Sequence, residues 1–589
     1  MWVQKTVPRQ GRTLAHGAFE ACETVHMCAA RCRWPSGKGV VRRAASLRQT
    51  LLPGSIMGYD AMVFVGLERF LRHRQREEIQ ASLIERYSVS ISTGEISNLS
   101  RSFVHYLARL HQSKAEGMRA ALECDGGWPL HVDATGEAGR GTLLVAIAGW
   151  RQWVLGAWKI STERTELILP CLREVVRHFG LPCAAMRDLG RAMIPALDEL
   201  VSGLEPRIPV LACHQHFLAD VGRDLLNPAH TRLRALFRQW KVRPNLRALV
   251  RDLGRSIGQN IDTAREAVCR WQNLSEDGHR IESGLAGLAE VRALAQWVLD
   301  SKARASGLDF PFDRPYLDLY DRCMIGLRAC RAFQRNQPHD EGVTAALRKL
   351  YRALDPLDCK VPANQLTEQL RRRAALFDEL RGLLRMMTSI PESETEQGLG
   401  QMRKQIDEWV ASLRLRRPAR GPAQDTREAI DLILKHIETH GANLWGHAIA
   451  LANNTGVRLV ARTNMIAENF FGTIKHEERR RSGRKNLGAD LENLPAEALL
   501  VHNLRHDDYV GILCGSLQRL PTAFAEMDQD DNDKEIRGNQ DGKQADNLRA
   551  VLQIESASLA TPDRRIIRTD QMNRRIAAAA KSSQRRSTC

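Results

Sequence analysis

Leu130-His131-Val132-Asp133-Ala134-Thr135-Gly136-Glu137 is the stretch from which the rest of the chain is read. An apolar run ends in an aspartate, and a glycine turn follows, the pattern of a strand with a carboxylate near its tip. Two more apolar runs come at once, over residues 141–150 and 152–160. Three runs with such short separations predict an antiparallel meander. Asp133 then sits on the first strand, where a carboxylate can hold a metal ion. The remainder of the chain either supplies partners for Asp133 or delivers something to it.

Downstream, residues 163–178 carry a helical period in spite of Pro170, and residues 181–188 read as a fourth strand with Asp188 at its end. A helix over 192–204 and a fifth strand over 208–213 follow. The order β-β-β-α-β-α-β resembles the ribonuclease H-like fold, whose first and fourth strands are neighbours. The resemblance implies Asp133 and Asp188 side by side at one sheet end. Over residues 227–445 strand signals vanish and Arg/Leu-rich helical periods take over, with breaks near prolines 311, 315, 356, 391 and 422. Roughly eight helices fit there, with no fixed repeat, so the segment reads as an all-helical insertion. The tryptophans in it, Trp240, Trp271, Trp297 and Trp409, are expected in the core.

Residues 446–527 return to signals of a site. On a helix that begins at Thr463 or Asn464, Glu468, Lys475 and Arg479 are spaced i, i+7, i+11 and share one face. A carboxylate followed by cations suits a metal-bound phosphodiester. The run from Arg479 to Lys485, with Arg484 in it, is densely basic. From Asp528 the chain turns polar and then basic, which predicts a disordered tail over 528–589.

Upstream, residues 51–125 are helical by pattern. An amphipathic stretch at 58–71 precedes a second at 77–87, then a short turn at 88–92 and a third helix that opens with Ser92-Thr93-Gly94-Glu95. That is a capping-box sequence. Two helices, a turn and a capped second helix predict a helix-turn-helix, with Ser92, Thr93, Ser97, Asn98 and Arg101 on the half that faces DNA. Residues 1–50 form a basic arm with Cys22, Cys28 and Cys32 near His16 and His26. Half of a Zn²⁺ ribbon and free thiols in a poorly ordered arm are both open there.

Composition sets the frame. A chain of 589 residues with 43% hydrophobic and 26% charged residues is expected to form three or more globular units. Its net charge of +17 favours a polyanionic partner, foremost nucleic acid. The apolar runs fall short of the roughly 20 residues that span a bilayer, and the N-terminal residues have no secretory pattern. Thirteen cysteines without framework spacing suit a reducing cytoplasm.

Taken together, the chain resembles the DDE transposases of bacterial insertion sequences with a helical insertion between the second and third acids. The likeness covers roughly residues 20 to 515. It rests on His131-Val132-Asp133 through Glu137, on Met186-Arg187-Asp188, on Cys213-x-x-His216 and on the stretch from Thr463 through Glu468 to Gly483. The acids lie 55 and 280 residues apart. The resemblance implies a ribonuclease H-like α/β core interrupted by an all-α insertion, behind a helix-turn-helix region. It implies Asp133, Asp188 and Glu468 as catalytic ligands of two Mg²⁺ or Mn²⁺ ions, with Asp133 bridging both. Lys475, Arg479 and Arg484 would contact the backbone of double-stranded DNA, the element ends and the target, at the bacterial nucleoid. Donor-end hydrolysis would precede strand transfer, in a homo-oligomer of at least two chains. Cys213 and His216 are poor ligands for Mg²⁺ and are read as structural, with His216 hydrogen-bonding near the site. Two rivals stand beside this: a non-catalytic DNA-binding regulator, and a nuclease acting on RNA or junctions.

Overall fold

The structure, a computed structural model, describes residues 1–530 apart from 34–38, 40, 258–280, 302–308, 337–339, 360, 387–394, 420, 422 and 452–455. Trp271, Pro391, Pro422 and most of the expected tail lie outside the described residues; positions 528–530 are helical. The chain divides into two compact units, one of residues 1–10, 20–53 and 525 onward, the other of residues 11–19 and 54–524.

The N-terminal arm is not loose chain. Strands β1 (Trp2–Thr13), β2 (Gly17–Met27) and β3 (Val41–Arg42) form a sheet in the order β1-β2-β3, followed by a short helix α1 (Ala45–Thr50). Most β1 side chains are exposed, so no apolar alternation marks the strand in the sequence. Its Pro8 is tolerated because β1 is an edge strand. Glu23 is buried there between Arg9 at 3.1 Å and Arg43 at 2.9 Å. Cys22 and Cys32 are exposed and Cys28 half-buried. Hydrogen bonding from Cys32 and Ala30 draws the Cys28 thiol below its usual value. Among the described residues these cysteines join no cluster of three metal-ligating groups.

The second unit begins with the expected helices. Helix α2 (Tyr59–Gly66) runs into a wider π turn, Leu67–Leu71, and α3 (Arg76–Tyr87) and α4 (Thr93–Ser113) follow, then α5 (Ala115–Cys124). The Ser92 hydroxyl accepts the Glu95 N–H at 3.1 Å, which caps α4 as the sequence suggests. The two-sided capping box belongs to α3, where Gln75 and Glu78 bond reciprocally.

The central sheet holds β4 (Pro129–Glu137), β5 (Arg140–Ala148), β6 (Trp153–Lys159), β7 (Ala184–Arg187) and β8 (Val210–Ala212) in the order β6-β5-β4-β7-β8. The first three strands are antiparallel; β7 and β8 join parallel to β4. Helices α6 (Thr165–Phe179) and α7 (Met193–Ser202) make the crossovers that parallel pairing requires. The apolar run from Leu143 to Ala148 in β5 is almost wholly buried, as a central strand demands.

After β8 the chain enters helix α8 (His214–Gln239), which passes unbroken through position 227, where composition alone places a boundary. Helix α9 (Val242–Ile257) and further helices, the last Gln424–His440, share one apolar core that runs from Ala212 to Leu444. Trp409 is buried and donates to Glu379 at 2.7 Å, while Trp240 and Trp297 pack against that core. The chain returns through β9 (Ala448–Ala450) and β10 (Val457–Leu459) to the Glu468 helix, Met465–Ser482. Among the described residues no helix is long and apolar enough to cross a membrane.

His111 of α4 fastens the helical region to the sheet. Its ring is buried, with Nδ1 2.7 Å from the Tyr509 hydroxyl and Nε2 3.0 Å from the Leu155 carbonyl of β6. Burial holds its pKa down to about 4, and His502 is held to about 4 in the same way. An unfolded histidine takes its proton near 6.5, so the neutral rings stabilise the fold above that pH. The contribution fades as pH falls from about 6.5 toward 4. Melting temperature is expected to drop steadily over that window. His111→Ala, which strands the Tyr509 and Leu155 groups, should lose about 2–4 kcal/mol in urea titration at pH 7.5.

Candidate functional site

Register brings the predicted residues together. In the parallel pair β4–β7, His131 lies opposite Met186. Two residues further along each strand the same register sets Asp133 level with Asp188, on strands about 4.8 Å apart. In the next pair Arg187 lies opposite Ala212, so Cys213 falls level with Asp188. Three side chains capable of ligation thus end up in a row at the carboxyl end of the parallel strands, where open α/β sheets place their ligands.

The third acid reaches the row through Asn464, at the head of its helix. Asn464 is fully buried. Its Nδ2 donates to the Val132 carbonyl at 3.0 Å and to Asp188 Oδ1 at 3.1 Å. Its Oδ1 meets His131 Nδ1 at 3.0 Å. Both acceptors face the amide nitrogen, so the amide oxygen must take the remaining bond, and His131 carries its proton on Nδ1. The Asn464 backbone N–H points at Cys213 Sγ, 3.3 Å away. One side chain and its own amide therefore fix β4, Asp188, Cys213 and the start of the Glu468 helix.

His216, in the first turn of α8, stands between the acids. Its Nδ1 forms an ion pair with Asp188 Oδ1 at 3.0 Å, and its Nε2 lies 3.7 Å from Glu468 Oε1. Burial alone would lower its pKa; Asp188 and Cys213 beside it outweigh that and raise it to about 11. His216 is an imidazolium at neutral pH. Asp133 is pushed up to about 7, first by burial and then by the Asp188 charge, although the Ala134 N–H at 2.7 Å and His216 oppose the shift. Burial and the Asp188 charge raise Glu468 as well, against His216. Carboxylates from three separate elements thus repel one another across a small space.

Asp133, Asp188 and His216 open onto a cleft of about 650 Å³ lined further by Glu163, Asp220 and Asp224. Beneath it lies a buried histidine and arginine layer. His214 accepts from Arg462 Nη1 at 3.1 Å and donates to the Leu444 carbonyl at 2.9 Å. Burial presses His214 far below its usual value, and His131 and His447 to about 4.

The expected basic face of the Glu468 helix points along β4. Lys475 Nζ lies 3.4 Å from the Gly136 carbonyl, and Arg479 pairs with Glu137 at 3.0 Å. Glu137 also accepts the Leu487 N–H at 2.6 Å, which binds the strand tip to the segment after the helix. Arg484 pairs with Asp490 at 3.2 Å. At the far end of the helix a second cleft, of about 720 Å³, is lined by Arg69, Arg76, Arg101, Arg481 and Arg484, with Ser97 and Gln75. Ser97 and Arg101 therefore face the end of the Glu468 helix as well as the surface. Ser92 is engaged as a cap, Thr93 begins α4, and Asn98 accepts from Arg101 Nη2 at 2.7 Å. Burial and the neighbouring Arg481 charge lower the Arg69 pKa to about 10.

Asn464, His131, Arg462 and Glu137 are the residues that sequence reasoning passed over as parts of the site. Their neighbours were read for acids and bases, and a buried amide carries no periodic signal; an asparagine at a helix start is the one local hint. Compared with family models and with curated protein sequences, the chain matches none.

A carboxylate whose folded pKa is raised to about 7 destabilises the fold as pH climbs from about 4 to 7, because the unfolded chain gives up its proton first. In metal-free protein at pH 8, Asp133→Asn is therefore expected to be more stable than wild type, by roughly 2–4 kcal/mol in denaturant titration. At pH 4 the two should coincide. A variant less stable than wild type at pH 8 would count against the crowding described here.

Proposed function

We propose that the chain is a metal-dependent DNA-processing enzyme of the transposase type, acting through Asp133, Asp188 and Glu468 on a ribonuclease H-like core. One observation carries the reading: acids 55 and 280 residues apart in sequence converge, with Asp188 and Glu468 on either side of His216 and Asp133 feeling both charges. A binding protein has no use for that arrangement, which makes the fold less stable. The strand order β6-β5-β4-β7-β8, with the first and fourth strands of the core adjacent, is the order such a core needs.

The donor set suits Mg²⁺ or Mn²⁺. The oxygens are hard, they come from rigid elements, and their mutual repulsion is relieved by divalent charge. Asp133, in electrostatic reach of both Asp188 and Glu468, would hold such ions together with those two acids. Bound there, a pair of such ions activates the attacking oxygen and stabilises the leaving oxygen of a phosphodiester. The protein does the rest. Asn464 holds Oδ1 of Asp188, a residue that lines the cleft. The Ala134 N–H orients Asp133 in the same way. His216, 3.0 Å from Asp188 and 3.7 Å from Glu468, offsets part of the charge of the acids.

DNA would reach the acids along the Glu468 helix. On this reading helices α3 and α4 with the turn between them would serve as a helix-turn-helix, and the guanidinium groups of the second cleft suit phosphates. Glu468 and Arg481 stand on one helix, about 20 Å apart by helical rise. That is some six nucleotide steps of 3.4 Å. The net charge of +17 would speed encounter with the duplex and make binding fall steeply with salt. Joining two DNA ends would call for at least two chains.

The test is cleavage and strand transfer of DNA carrying the element's own ends, in Mg²⁺, against Asp133→Ala, Asp188→Ala and Glu468→Ala. Each variant should lose at least ~100-fold in rate while it binds the same DNA as tightly as wild type. Arg76→Ala with Arg101→Ala should instead weaken binding and flatten its salt dependence. Wild type that binds the ends and never cuts would replace the enzyme with a regulator. Equal cutting by the alanine variants would remove the acids from the chemistry.

A further inference from the structure

The hard-ion chemistry makes no use of sulfur, yet the fold sets Cys213 level with Asp188 and turns His216 toward both. We infer that Asp188, Cys213 and His216 form a site for a thiophilic divalent ion of the Zn²⁺ class, and that filling it withdraws Asp188 from the hard-ion site and switches the enzyme off. The switching half rests on the function proposed above; the binding half does not.

A thiolate sulfur, an imidazole nitrogen and a carboxylate oxygen from these residues all lie within 4.8 Å of one another, the one such three-residue group among the described residues. Tetrahedral zinc with bonds of about 2.0–2.3 Å holds its ligand atoms roughly 3.3–3.7 Å apart. His216 Nδ1 and Asp188 Oδ1 are already 3.0 Å apart, so closure needs a movement of about an ångström, mainly at sulfur. Sulfur and imidazole select zinc-like ions over Mg²⁺.

The surroundings are those of a supported site. The Asn464 N–H donates to Cys213 Sγ at 3.3 Å and fixes the sulfur's position, and the Asn464 side chain aims Asp188. With a metal on His216 Nδ1, the Nε2–H is left to donate toward Glu468, now 3.7 Å away. That makes the carboxylate–histidine–metal relay found at zinc centres. Asp188 and His216 line the open cleft, which gives the ion a path in and a water for its fourth position. Zinc would thus engage two of the three acids at once, one as ligand and one through the imidazole. Mg²⁺ could not share them.

The full-length protein, freed of metal, is titrated with Co²⁺, whose thiolate-to-metal absorption reports a cysteine ligand, and Zn²⁺ is used to displace it. One equivalent per chain is expected to show that band. Cys213→Ser should abolish it and His216→Gln should weaken binding at least about 100-fold, while Cys22, Cys28 and Cys32 changed together to serine leave it in place. No thiolate band, or a band that survives Cys213→Ser, overturns the site. Zn²⁺ should also inhibit Mg²⁺-supported DNA cleavage, with Cys213→Ser needing about 100-fold more Zn²⁺ for half inhibition. A band that depends on Cys213 without this competition overturns the switch. Wild type that cleaves no DNA defeats the proposed enzyme instead, and the cobalt titration still decides the site.

Discussion

Everything at the candidate site leans on the buried amide of Asn464. Each polar atom of its side chain is committed: two N–H groups to Val132 and Asp188, the oxygen to His131. A hydrogen bond inside the protein contributes only about 0.5–1.5 kcal/mol net. An unmet group at that depth costs more, so the set is held by the penalty of breaking any one bond. The consequence is geometric. The helix that carries Glu468, 280 residues downstream of Asp188, is pinned against the strand that carries Asp133, with Glu468 in its first turn.

The arrangement so fixed is electrostatically unfavourable by itself. Desolvation and like charge drive Asp133 and Glu468 upward, and a single imidazolium offsets part of the strain. Functional sites characteristically hold groups in states that stability alone would not select. Under the proposed function, entering cations would compensate the excess negative charge and so couple ion binding to the stability of the sheet end.

The helical insertion is built into this end of the sheet. Its first helix begins at the residue after Cys213 and carries His216 in its first turn. Arg462, two residues before Asn464, donates to the Leu384 carbonyl within the insertion at 2.8 Å and to His214 at 3.1 Å. Arg373 of the insertion donates to the Leu225 carbonyl of α8 at 3.0 Å. The insertion and the third acid therefore share buried polar contacts, and a shift in the helices would be felt at Glu468. Sites built on such packed elements keep their geometry better than sites on loops.

Much of this was legible in the residues. The meander, the two parallel strands, the capped α4 and the helix with Glu468 in its first turn are local patterns, set by apolar periodicity and by end signals that act within a few residues. The adjacency of Asp133 and Asp188 was available only through a resemblance, because pairing register is a contact between distant segments. The N-terminal sheet escaped notice because its side chains are mostly exposed and leave no alternation. Helix periodicity puts Lys475 and Arg479 on one face but does not say which neighbour they meet, and in the structure Glu137 takes up the Arg479 guanidinium. Sequence by itself determined the elements and the chemistry at their ends. Tertiary structure alone decided which of those ends meet, because Asn464, His216 and Cys213 acquire their roles from partners hundreds of residues away, through hydrogen bonds that only a buried, packed site makes worth forming.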